Sequence, residues 1–230
     1  MCRSVTHPSG AGRRNFTGKS IDLPVPFLSC SSCLRGYPCA VKTSSLLLAA
    51  GFLGLSAISG IADDFKPEPG FVSLYNGKDL TGWGYSPTEN FDGKTEASDG
   101  RYTAKGETLV VNPQKEGTPR LRQLWTAKEF PKDFELRLEF RAAVNADSGI
   151  FLRKPQLQCR DYLVAGPYKE LKSYKSQDWN EIVVVVKDGV AHCTCNGEVL
   201  EAALKLPATG PIGLEADRGQ MEYRRIRIKE

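Results

Sequence analysis

From about residue 71 to the C-terminus, short stretches of alternating or continuous apolar residues recur between turn signals, and none sustains a helical apolar stripe. Residues 134–141 show the pattern most clearly. Phe134, Leu136, Leu138 and Phe140 share one face of a predicted strand, while Glu135, Arg137, Glu139 and Arg141 share the other. Residues 182–186 form a β-branched run, which predicts a central strand covered on both faces. Asp188-Gly189 and Asn196-Gly197 each predict a tight hairpin. Near the C-terminus Met221 and Tyr223 are in phase but Ile226 and Ile228 are one residue out, which predicts a bulge near Arg224 and Arg225. Roughly eleven strands in one domain predict an all-β, two-sheet sandwich.

Residues 46–58 are the one long apolar run, too short for a helix to cross a ~30 Å hydrocarbon core. Lys42 precedes the run, and Gly60 and Ala62 supply small residues for cleavage before Asp63. This is a secretory signal pattern, so export to the periplasm or exterior of a bacterium is expected, with no membrane span kept after cleavage. Residues 1–40 read as a leader extension or misassigned start, 41–62 as the signal and 63–230 as one domain. The formal charge of +4 belongs to the leader: residues 1–62 hold six Lys or Arg against one Asp. Residues 63–230 keep 25 of the 31 basic and 26 of the 27 acidic side chains, which gives no footprint for a nucleic-acid partner. Of the seven cysteines, only Cys159, Cys193 and Cys195 lie past the signal, too few for a disulfide framework.

Several strings carry a resemblance: residues 71–83 (FVSLYNGKDLTGW), 134–141, 147–153 (DSGIFLR), Trp179-Asn180, Asn196-Gly197 and 210–214 (GPIGL). In order and spacing they resemble the 3-keto-disaccharide hydrolase family (DUF1080) over about residues 71–228. The resemblance implies an antiparallel jelly roll of the concanavalin A type, export, and action on glycosides already oxidised to a ketone at sugar C3. Two departures stand out. Asp147 replaces the family's usual Asn, and of its Glu-x-Gln-x-x-Asp stretch the chain keeps Gln158 and Asp161, with Gln156 in the Glu position.

A C3 ketone acidifies the C2 hydrogen, so a base can form an enolate that expels the C1 substituent, and hydration completes a net hydrolysis. This route needs a base, an enolate stabiliser and an acid for the leaving group. Ordinary glycosidases need two carboxylates across an oxocarbenium centre, and the Glu-x-Asp-x-x-Glu strand that jelly-roll glucanases use is absent. The candidate catalytic residues are therefore Glu139, Asp161 and His192, the last being the one histidine past the signal. Candidate substrate contacts are Arg141, Arg153, Gln158, Tyr162 and Tyr168. Trp83 and Trp179 are read as core anchors; Trp125, like them, could stack on a sugar. No cofactor is required by any motif; a divalent metal could be held through Asp147, Asp161 or Glu139, though no compact ligand motif argues for one. The expected partner is a carbohydrate. The competing readings are a non-catalytic carbohydrate-binding jelly roll and, third, an adhesive domain with an exposed apolar patch. An enzyme would gather the titratable candidates in one pocket.

Overall fold

The computed structural model describes residues 65–118, 121–164 and 166–230. The expected signal and leader lie outside the described residues. No helix among the described residues is long and apolar enough to cross a membrane.

Fourteen strands form two antiparallel sheets. In chain order they are β1 (Val72–Ser73), β2 (Trp83–Ser86), β3 (Glu89–Asn90), β4 (Tyr102–Lys105), β5 (Thr108–Val111), β6 (Arg122–Glu129) and β7 (Phe134–Ala142). There follow β8 (Asp147–Leu152), β9 (Gln156–Arg160), β10 (Asn180–Lys187), β11 (Val190–Cys195), β12 (Glu198–Lys205), β13 (Pro211–Ala216) and β14 (Met221–Lys229). The eight-stranded sheet runs β12-β11-β10-β7-β14-β5-β4, with β1 also paired to β14. The six-stranded sheet runs β3-β2-β6-β13-β8-β9. Neighbours that are distant in sequence make the arrangement a jelly roll.

The core lies between the sheets, as alternation requires. Leu136, Leu138 and Phe140 of β7 and Ile182 and Val184 of β10 face Leu124, Ile150, Leu157, Ile212 and Leu214 of the other sheet, all fully buried. Polar groups that enter this layer are paired. Tyr102 donates to the Leu214 carbonyl at 2.6 Å, and Ser148 bonds both the Glu215 carbonyl and the Tyr223 hydroxyl. The predicted hairpins join β10 to β11 and β11 to β12, with Asp188, Gly189, Asn196 and Gly197 all at positive φ. The bulge also forms. Arg225 adopts φ 51°, so β14 pairs with β5 through residues 221–224 and with β1 through Arg227 and Ile228.

The run at 182–186 is corrected. Val184 and Val186 are buried but Val185 is 44% exposed, so β10 is covered on one face only. Its continuous apolar sequence misled because a β-branched residue also suits the solvent face of a strand.

The segment before β1 is strapped to β14: Glu68 bonds the Arg227 guanidinium twice, at 2.7 and 2.9 Å. Those hydrogen bonds pull the Glu68 carboxyl down to about 2. A depressed carboxylate stabilises only while ionised, so the strap's contribution is complete above an ordinary carboxylate value and is lost as pH falls toward 2. The protection of the Phe71 amide, which donates to the Glu68 carbonyl, should therefore fall relative to its intrinsic exchange rate on acidification before the core opens, and Glu68→Gln should remove that pH dependence.

Candidate functional site

The outer face of the six-stranded sheet carries the groove. On β6, β13, β8 and β9 the inward positions are mostly apolar, so Gln123, Trp125, Gly213, Glu215, Asp147, Gly149, Phe151, Gln156 and Gln158 point outward. Register aligns them in rows. Trp125, Gly213, Phe151 and Gln156 lie side by side across four strands, and Glu215 stands opposite Gln123. The Trp125 and Phe151 rings meet over Gly213, with centroids 5.2 Å apart. A β-carbon on Gly213 would lie 2.6 Å from the indole, so this row requires glycine for close approach. Beside the aromatic pair opens a cavity of about 810 Å³, lined among others by Pro87, Asn90, Gln123, Trp125, Phe151 and Lys154. Across it Arg122 stacks 3.6 Å over the Tyr85 ring and pairs with Glu89 and Asp99, which fixes the β2–β3 edge.

Glu215 is the buried carboxylate of this face, with only 8% of its surface exposed, and it stands beside Gln123 next to the cavity without lining it. Gln156 donates to it at 2.5 Å. Burial raises its carboxyl above the usual carboxylate range, the Gln156 and Gln123 amides draw it back, and the negative charges of Asp217 and Asp147 push it up further. Asp147 is differently placed: Arg160 at 3.1 Å, Arg218 at 3.5 Å and the Gln158 amide at 2.7 Å all hold it.

The structure does not gather the sequence candidates. Glu139 and Arg141 lie on the outer face of the eight-stranded sheet, across the core from the groove. Glu139 is paired with Arg224 at 2.6 Å and Arg225 at 2.9 Å, and Arg141 with Glu222. His192 is exposed on β11 of that same sheet, 3.3 Å from the Ala202 carbonyl. Asp161 is buried and accepts from the Asn145 amide, Tyr174 and Gln177, a structural bracket for the loops that flank it. Arg153, at φ 64°, turns its guanidinium inward to the carbonyls of Phe130, Lys132 and Pro207. Tyr162 is fully buried, and the half-buried Tyr168 donates to Glu201. Of the eight, Arg153 lines the cavity while its guanidinium turns inward, and Gln158 lies on the outer face of the same sheet. Asp147, Asp161 and Glu139 do not converge, and no group of three metal-ligating side chains occurs among the described residues.

Trp83 is a core anchor, but Trp179 is not: it lies half-buried on the outer face between the Arg224 and Arg141 guanidiniums. The sequence reading passed over Glu215, Gln123 and Phe151. A signal for Glu215 existed, since it is the lone acid of an apolar strand and, by alternation with Leu214, must point away from the core.

The described residues form a two-sheet jelly roll with an aromatic and amide-lined groove on one outer face. The chain belongs to the 3-keto-α-glucoside-1,2-lyase-like domain family, whose model matches residues 70–229. No curated protein sequence matches it. The fold is also that of two Parabacteroides distasonis structures, each described as a "putative glycosyl hydrolase". One is 17% identical with a TM-score of 0.54, covering 70% of this chain and 93% of its own. The other is 17% identical with a TM-score of 0.52, covering 70% and 98%.

Two substitutions check these placements. Arg153→Met leaves three carbonyls without their donor and should cost about 3 kcal/mol or more in a denaturant titration. Glu139→Gln should lower stability by about 1 kcal/mol, because it weakens two partly exposed ion pairs, and should leave ligand affinity at the groove unchanged by calorimetry.

Proposed function

We propose that the chain cleaves 3-keto-glycosides by elimination, in the groove of the six-stranded sheet, with Glu215 as the base. The observation that carries this reading is Glu215 itself: a buried carboxylate raised above its ordinary value, held by the Gln156 amide beside an aromatic row, in a chain of this family. Glu215 takes the C2 hydrogen of the oxidised sugar, the electron pair delocalises into the C3 ketone as an enolate, and the C1 substituent departs and is protonated. Water then adds across the C1–C2 double bond to complete a net hydrolysis. A raised carboxyl suits this task, since base strength rises with pKa. Trp125 and Phe151 supply an apolar surface for a sugar face, and the Gln123 amide is placed to bond hydroxyls along the groove wall.

Incubation with a 3-keto-glycoside and with its unoxidised parent tests the reading. Cleavage of the oxidised compound alone is expected, because the parent's C2 hydrogen is not acidic. Binding of both without cleavage would identify a binding module instead. Glu215→Gln should reduce cleavage by roughly 10²–10⁴-fold and abolish exchange of the C2 hydrogen with deuterated water, while the protein stays folded. In the wild type the rate should rise with pH through the Glu215 ionisation, because only the carboxylate accepts the proton, and should be lost below it.

A further inference from the structure

Gly149 sits on β8 between the strands that carry Gln156 and Glu215, and its backbone φ is not in the left-handed region, so nothing in its own conformation demands glycine. What demands it is the Gln156 side chain. A β-carbon at position 149 would lie 1.9 Å from Gln156 Nε2 and 2.5 Å from both Cδ and Cγ. The Gln156 side chain therefore crosses β8 through the space above Gly149 to reach Glu215 on β13.

We propose that Gln156 is a positioning residue for Glu215, and that the missing side chain at Gly149 is what admits it. The proposal rests on the reading of Glu215 as base, and it concerns how that carboxylate is held. The amide donates to Oε2, fixing the plane of the carboxyl against the sheet. Gln123 stands opposite Glu215 on β6, and its amide draws the carboxyl downward. The charged and titratable groups around Glu215 are Asp147 from β8 and Asp217 beyond β13, with the Tyr102 hydroxyl beneath and the buried Arg101 guanidinium on the Asp217 carbonyl. Arg160 of β9 and Arg218 lie against Asp147. The Gln156 and Gln123 amides that favour the Glu215 carboxylate are uncharged, so they act on it without supplying a countercharge. Losing one of them favours the protonated form, which moves the Glu215 ionisation upward.

Gly149→Ala fits the strand backbone, and what it displaces is the far end of a flexible side chain, so the fold should persist. Gln156→Leu removes the amide directly. The Glu215 ionisation can be followed by carboxyl infrared difference spectroscopy against Glu215→Gln, with no substrate present. Each variant should move it up by on the order of one pH unit. The acid limb of cleavage of a 3-keto-glycoside should move by the same amount. Because Gly149 acts through Gln156, Gly149→Ala should add nothing in the Gln156→Leu background. Unmoved titration in Gln156→Leu, or additive shifts in the double variant, would overturn the proposal. A shifted titration in a protein that cleaves no 3-keto-glycoside would leave this positioning in place and remove the catalytic reading instead. Normal cleavage with an unshifted titration would do the reverse.

Discussion

Two sheets packed about 10 Å apart have four faces, and the inner two are consumed by the core. Every side chain that meets a ligand from a strand must therefore stand on one of two outer faces, which the core keeps from cooperating. Leu136, Leu138 and Phe140 on one side and Leu124, Ile150 and Leu214 on the other fill that layer, and the polar groups that enter it, such as Ser148 and Tyr223, bond one another. The outward residues then sort themselves. The eight-stranded sheet carries a lattice of guanidiniums and carboxylates in mutual ion pairs around Glu139, Arg224 and Arg225. The six-stranded sheet carries aromatics, amides and one buried carboxylate.

Small residues decide what the second face can hold. An outer sheet face is normally paved with side chains at every second position, yet Gly213 and Gly149 leave that face bare at two of them. Each vacancy is filled from a neighbouring strand, by the Trp125 indole over Gly213 and by the Gln156 amide over Gly149. The side chains thus lie across the strands instead of standing up from them, which gives the groove both its flat aromatic floor and the contact between Gln156 and Glu215.

Strand alternation, the two Asx-Gly hairpins and the bulge at Arg225 were legible because each is a local event written in two to eight residues. So was the outward direction of Glu139. What alternation cannot say is which sheet a strand joins, since register between strands far apart in sequence is a tertiary outcome. Glu139 and Gln158 both point outward, but on opposite faces of the sandwich. Asp161 and Arg153 misled for another reason. Polar residues next to a turn serve equally well as binding groups or as donors and acceptors for buried backbone, and here the carbonyls of Phe130, Lys132 and Pro207 and the amide of Asn145 claimed them. Trp179 was misplaced because stacking between guanidiniums satisfies an indole as well as a core does.

The carboxylates so compared differ less in burial than in what answers their charge. Glu139 faces two guanidiniums, and a proton abstracted there would have to displace an ion pair. Asp161 takes donors from an amide, a phenol and a glutamine in a bracket whose geometry the flanking loops need. Glu215 is held by amides while Asp147 and Asp217 add negative charge nearby. Neutral donors orient a carboxylate without neutralising it, so its charge is left to be answered by whatever approaches. A group in that position gains most from accepting a proton, and that difference in countercharge is the reason for proposing Glu215 on β13, and not Glu139 on the more conspicuous charged strand across the core, as the base.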